Sequence, residues 1–158
     1  MAGALAVAAL NALPGALGAS IWYRSSRAGA GGTSGPPARA LSAFWVSLRV
    51  GQGSALALAL AVGSLAAAGR YSSEHLFYLY ALLPLAVAFV AEQLRIASAQ
   101  TILDQRGLES AQEVGELPEA EQHAVVAAIV RREQGVMALS ALVVVFLALR
   151  AAATAHGF

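Results

Sequence analysis

Charged side chains beside apolar segments are the first residues in this sequence whose types and spacing could do chemistry. Glu92 and Arg95 are three residues apart and would share one face of a helix. We expect Arg49 to reach Glu92 from a neighbouring helix, with Arg132 and Glu133 close by. Such a cluster could gate or bind an ion. The interpretation we favour is a structural ion-pair cluster that fixes helix packing, because none of these groups has to lie at mid-bilayer.

Two histidines form the other candidate site. His75 lies at the outer end of the third long apolar segment and His156 follows the outer end of the fourth, so the two side chains could lie at the same depth. They are the only pair suited to act as axial ligands of a b-type haem or as part of a metal site. Two histidines without further ligands are more typical of a membrane interface. We therefore predict no cofactor and no metal, with haem b on His75 and His156 as the alternative.

Several classes of function are disfavoured by the residues that the sequence lacks. There is no cysteine, and all ten basic residues are arginine, which excludes thiolate chemistry, cysteine-ligated metals and lysine Schiff bases. A net charge of +1 without a basic run argues against a nucleic-acid partner. Ser54 and Ser140 are isolated hydroxyls, and the glycines at 29–35 lack the context of a phosphate-binding loop. We predict no catalytic residues and no enzymatic activity.

The composition indicates which elements must position the charged residues. The chain is 58% apolar and 12% charged, whereas soluble domains are about 45–50% apolar and about 25% charged. A chain of 158 residues cannot bury so much apolar surface in its own core, so the sequence predicts an all-α, polytopic integral membrane protein: a single four-helix bundle domain in contact with lipid. The predicted transmembrane segments are 2–23, 41–68, 74–96 and 135–155.

The connections between these segments differ in character. Segment 2–23 has no charge before its arginines, which favours a retained helix over a signal peptide. The Gly/Ser/Pro-rich stretch 24–40 reads as a linker. Residues 97–134 have apolar stripes, a stop at Gly107 and a start at Pro118, which predicts that helices 3 and 4 extend into a polar helical hairpin with an acidic loop at 107–117.

One face of the second segment has the composition of a helix–helix contact. Gly53, Ala57, Ala61 and Ser64 recur three or four residues apart, and small residues at this spacing let membrane helices approach closely. The sequence predicts a helix-packing face here. It does not say whether the partner helix belongs to this chain or to another.

The distribution of arginine predicts the orientation. Loops 24–40 and 97–134 would share one side of the membrane, and that side carries most of the arginines: Arg24, Arg27, Arg39, Arg95, Arg106, Arg131 and Arg132. Arginine-rich loops stay in the cytoplasm, so we expect both termini outside. The abundance of Ala, Gly and Arg is typical of a GC-rich bacterial genome, which suggests a bacterial plasma membrane.

The leading functional expectation is a non-catalytic accessory or structural subunit of a larger bacterial membrane complex, respiratory or transport. Its partners would be other membrane subunits or further copies of itself. The alternatives are a small haem b electron-transfer protein and an oligomeric channel or transporter. The scarcity of polar residues in the apolar segments argues against the channel.

Overall fold

A computed structural model describes residues 1–27 and 37–155. These residues form five helices: α1 (Ala2–Arg27), α2 (Ala38–Ala67), α3 (His75–Gln105), α4 (Ala111–Glu116) and α5 (Glu119–Thr154). They contain no strand. Four of the helices, all except α4, are long and apolar enough to cross a membrane. The all-α prediction with four membrane-length helices is confirmed, and it indicates a multi-pass membrane protein.

Glycine and proline set several helix boundaries. Gly69 and Gly107 both have positive φ, 76° and 67°, and each lies in the turn that follows a helix, α2 and α3 respectively. Pro118 caps the start of α5, where its missing N–H costs nothing. From there α5 runs for 36 residues without a break. Both α3 and α5 are therefore longer than the apolar segments within them.

The four long helices pack side by side in antiparallel pairs. α5 packs mainly against α1 and α3, and α2 packs against the same two helices. Near the start of α1, Ala4 packs with Ala151 and Ala152 near the end of α5. We call this the terminal end of the helices. The opposite end, which carries Arg24, Arg39 and Arg131, is the arginine-rich end.

Small residues bring α1 close to its neighbours. A Cβ placed on Gly18 would lie 2.5 Å from the Ala138 side chain of α5 and 2.6 Å from Phe44 of α2. A Cβ on Gly15 would lie 2.7 Å from Leu142. No side chain fits at these distances, so glycine is what permits this approach of the helix backbones.

The helices differ in how much of their apolar surface is covered. In each long helix we call the apolar 18-residue stretch that could cross a membrane its apolar window. This window is 44% buried in α1 and in α5, but only 22% buried in α2 and in α3. Their outward side chains are large and apolar, including Val46, Leu60, Leu79, Phe89 and Ile96. In water this surface would be unfavourable, whereas lipid solvates it. The α2 and α3 side is thus the least covered side of the molecule.

The segment beyond the apolar windows is also ordered by packing. Leu103 of α3 and Val125 of α5 are both buried. The predicted acidic loop contains the short helix α4, whose N-cap Ser110 accepts a hydrogen bond from the Glu113 N–H. The Glu113 carboxylate in turn accepts from the Glu109 N–H at 2.9 Å. This exchange resembles the capping box of Ser-x-x-Glu sequences.

Candidate functional site

The structure brings three of the five predicted cluster residues together. Arg49 of α2 and Arg95 of α3 both donate to the Glu92 carboxylate, Arg49 through Nη1 to Oε1 and Arg95 through Nε to Oε2 at 2.9 Å. Gln52 completes the group, because it accepts from Arg49 at 2.7 Å and donates to Glu92 at 3.2 Å. We call these four residues the Glu92 cluster. It ties α2 to α3 at a position where few other polar contacts join them.

The cluster lies at one edge of the apolar layer, by which we mean the zone formed by the apolar stretches of the four long helices. Arg49 precedes the uncharged stretch 50–69, which at 1.5 Å per residue spans about 30 Å, the thickness of a bilayer core. Arg39 lies ten residues further out on the same helix, about 15 Å nearer the arginine-rich end. The Arg95 guanidinium lies 5.6 Å from the ring centroid of Trp45, a residue type common at this depth.

Arg132 and Glu133 do not join this cluster. Both belong to α5, and in the described ranges neither has an ion pair or a side-chain hydrogen bond. α5 makes little contact with α2, which carries Arg49. It does pack on α3, which carries Glu92 and Arg95, but neither Arg132 nor Glu133 is buried in that contact. Arg132 is exposed and Glu133 is half-buried. The predicted cluster of five is a cluster of three ionised residues and one amide.

The two histidines are not brought together in the described part of the chain. His75 is the first residue of α3 and is exposed. His156 lies outside the described residues, so the predicted haem pair stays a prediction. Among residues 1–27 and 37–155, no group of three His, Cys, Asp or Glu side chains is arranged to hold a metal ion.

The predicted helix-packing face points away from the rest of the molecule. Gly53, Ala57, Ala61 and Ser64 are all exposed, and a Cβ on Gly53 would meet no atom within 4 Å. The face of α2 that packs inside the described chain is a different one, formed by Phe44, Leu48, Gly51, Ala55, Ala59 and Val62. Within residues 1–27 and 37–155, the small-residue face of α2 is therefore not the face that packs against the other helices.

An apolar groove runs between α2 and α3 on the outer surface. Its volume is about 700 Å³, and it is open along its outer side. Its lining includes the large side chains Leu56, Leu82, Leu85 and Phe89 and the small residues Gly53, Ala86 and Ala88. One end of the groove is formed by Gln52 and Glu92, so the Glu92 cluster closes it at the arginine-rich end. Sequence reasoning missed this groove, because it depends on which faces of α2 and α3 are turned outward.

A second polar contact inside the apolar layer joins α1 to α2. The buried Asn11 amide donates to Val7 O at 2.9 Å in its own helix and to Gly51 O at 3.2 Å across the interface. A Cβ on Gly51 would lie 2.6 Å from Asn11 Oδ1, so glycine is required opposite the amide. An interhelical bond from Asn11 is expected of a lone amide in an apolar helix, but the sequence does not identify Gly51 as its acceptor.

Comparisons with known proteins give no guide to the role of these features. No family model matches the sequence, and neither the curated proteins nor the solved structures contain a match. A function has to be argued from the geometry of the chain itself.

Proposed function

We propose that this chain is a non-catalytic accessory or structural subunit of a bacterial membrane complex, and that it docks through the outer face of α2. One observation carries the proposal. The small-residue face Gly53, Ala57, Ala61 and Ser64 is exposed among the described residues, and a Cβ on Gly53 would meet none of their atoms within 4 Å. In membranes such faces are typical of close helix–helix contacts, because small side chains let two backbones approach and pack.

The distribution of burial supports this assignment. α2 and α3 leave most of their apolar windows uncovered, while α1 and α5 are better covered inside the chain. A helix that packs against α2 from outside would cover the less buried side of the molecule. The Glu92 cluster and the neighbouring Trp45 lie toward one end of this side and would fix the depth of the partner helix.

The orientation belongs to the same proposal. We place the four long helices as a transmembrane bundle in the bacterial inner membrane, with both termini outside. The end of α3 and the start of α5, with α4 between them, then form a cytoplasmic hairpin. Its acidic residues, Glu109, Glu113 and Glu116, would offer a basic partner a second contact outside the membrane. The arginine-rich end supports this orientation by the positive-inside rule.

Native mass spectrometry of the tagged protein, extracted from its own host in a mild detergent, tests the docking face. We expect the wild-type chain to carry other polypeptides at fixed stoichiometry. The double variant Gly53→Leu/Ala57→Leu should lose them, because two leucines would hold a partner backbone away. Nothing in the described chain lies within 4 Å of a Cβ at Gly53, and Ala57 is exposed, so the helices themselves should stay folded.

A matched control introduces two leucines, also four residues apart, on an exposed face of another helix. Ala12 and Ala16 of α1 are also four residues apart and exposed, so Ala12→Leu/Ala16→Leu should keep the partner. A wild-type chain that emerges alone would contradict the subunit assignment. Loss of the partner in the α1 control, with retention in the α2 variant, would move the docking face to α1.

A further inference from the structure

The groove between α2 and α3 has the layout of a lipid site. It is apolar along its length and opens to the surface that faces lipid, while one end is charged. On α3 it extends from Glu92 to Leu82, ten residues or about 15 Å along the helix. The charged end lies at the edge of the apolar layer, so the groove runs from the interface toward the middle of the membrane.

The Glu92 carboxylate lines this end of the groove, and the two arginines that bind it, Arg49 and Arg95, lie beside the groove and not in its lining. Glu92 offers one negative charge to two arginines, Arg49 and Arg95, so the cluster keeps one net positive charge. A guanidinium has five N–H donors. Within the described residues, Arg49 uses Nη1 for its two acceptors and Arg95 uses Nε for one. The remaining donors are available, and the Arg49 side chain is 54% exposed.

We propose that the groove binds one anionic phospholipid, with an acyl chain along Leu56, Leu85 and Phe89 and the headgroup phosphate on Arg49 and Arg95. A phospholipid has the same sequence of chemistries as the groove: an anion at the interface and a hydrocarbon chain below it. Arginine binds phosphate with charge-assisted, often bidentate hydrogen bonds. The positive charge distinguishes an anionic from a zwitterionic headgroup, in which an ammonium partly cancels the attraction.

This site is separate from the proposed docking function, although Gly53 borders both surfaces. Ala86 of α3 lines the groove, is exposed and does not belong to the small-residue face of α2. Ala86→Phe should fill the groove and exclude an acyl chain without touching the docking face. Arg49→Gln should leave the groove open and remove one phosphate contact.

Lipid retention measured by native mass spectrometry tests the proposal on the full chain. The purified protein is delipidated and offered equal amounts of phosphatidylglycerol and phosphatidylcholine. We expect the wild type to retain one phosphatidylglycerol about tenfold more than phosphatidylcholine. Arg49→Gln should lose that preference, and Ala86→Phe should lose the bound lipid of either kind. Ala12→Phe adds the same side chain to an exposed position of α1 outside the groove and should behave as the wild type.

Other outcomes would overturn the assignment. Equal retention of the two lipids by the wild type would remove the role of the arginines. Lipid that persists in Ala86→Phe at the wild-type level would place it elsewhere on the surface. A polypeptide bound in place of lipid and lost on Ala86→Phe would assign the groove to a protein partner. Displacement of the lipid by inorganic phosphate alone would show that the acyl chain contributes nothing. Because Gly53 borders the groove, the docking variant Gly53→Leu/Ala57→Leu is not used to judge the lipid. Ala86→Phe separates the two proposals, since it should lose the lipid and keep the protein partner.

Discussion

Asn11 and Gly51 form the residue pair within the apolar layer that has the strictest hydrogen-bonding and steric requirements. The amide of Asn11 is 2% exposed and has to find acceptors where no water is at hand. It uses one carbonyl of its own helix and one of α2. The second bond is available only because Gly51 has no side chain, so a single glycine sets both the distance and the register between α1 and α2.

Gly51→Leu should therefore destabilise the protein. Its Cβ would lie 2.6 Å from Asn11 Oδ1, and relief of that overlap would separate the helices and break the hydrogen bond. We expect the free energy of unfolding in detergent, from denaturant titration followed by helical ellipticity, to fall by about 2 kcal/mol. Gly63→Leu is the matched control on the same helix, since nothing lies within 4 Å of a Cβ there. Equal stability of the two variants would contradict this account.

At the scale of elements, the Glu92 cluster is the main polar connection between α2 and α3. α2 and α3 bury a smaller share of their apolar windows than α1 and α5 do. The ion pairs of the Glu92 cluster should therefore contribute a larger part of the packing free energy at the α2–α3 contact. Glu92 holds two arginines from two helices on one carboxylate. Its removal would leave two like charges side by side at the edge of the apolar layer.

Glu92→Gln should weaken the α2–α3 contact. We expect a loss of about 1 kcal/mol in the same unfolding measurement, because the groups are partly exposed and interhelical polar contacts in membranes are modest. Arg49→Gln added to Glu92→Gln should recover part of that loss by removing one unpaired charge. Glu109→Gln, at an exposed residue of the α3–α4 turn, should change nothing. Strict additivity of the Glu92 and Arg49 substitutions would show that the two side chains are not coupled.

The sequence predicts where the helices lie in the chain better than it predicts which face of each helix is buried. Hydropathy identifies four apolar segments because length and the absence of charge suffice for that. On α2, however, two small-residue stripes have the same four-residue spacing: Gly51, Ala55 and Ala59, and Gly53, Ala57 and Ala61. Only the first is buried, and the choice depends on Asn11 of another helix. No local pattern in α2 contains that information.

Some features of the candidate sites were within reach of the sequence and others were not. The pairing of Glu92 with Arg95 follows from their spacing along one helix, and Arg49 follows from equal depth. The exclusion of Arg132 requires knowledge of which face of α5 packs on α3 and of how little α5 contacts α2. The Ser110-x-x-Glu113 pattern, in contrast, is a local signal that indicates the start of α4. The prediction of an acidic loop at 107–117 did not use this signal.

At the scale of the whole molecule, the contacts between the helices do not determine the orientation of the protein in the membrane. The helices define a terminal end and an arginine-rich end, and the positive-inside rule assigns the second to the cytoplasm. The absence of cysteine makes this assignment easy to examine, because one introduced thiol is the only one present. Two exposed positions at opposite ends suit the measurement: Tyr71 after α2 and Glu109 before α4.

Tyr71→Cys should react with a membrane-impermeant maleimide in intact spheroplasts. Glu109→Cys should react only after the membrane is opened, because the proposed orientation places it in the cytoplasm. Denatured samples of both variants provide the control for thiol reactivity. The reverse pattern would invert the molecule in the membrane. Labelling of both positions in intact spheroplasts would exclude an odd number of crossings between them and leave α3 outside the bilayer.

The place of α5 in the helix arrangement has a consequence for biosynthesis. α5 provides most of the packing surface of both α1 and α3, yet it leaves the ribosome after the other three long helices described here. Until it arrives, the glycines of α1 that receive Ala138 and Leu142 have no partner on that side. The first three helices thus enter the membrane as an incomplete set. Nascent chains that stop before residue 134 should be the forms that membrane quality-control proteases remove.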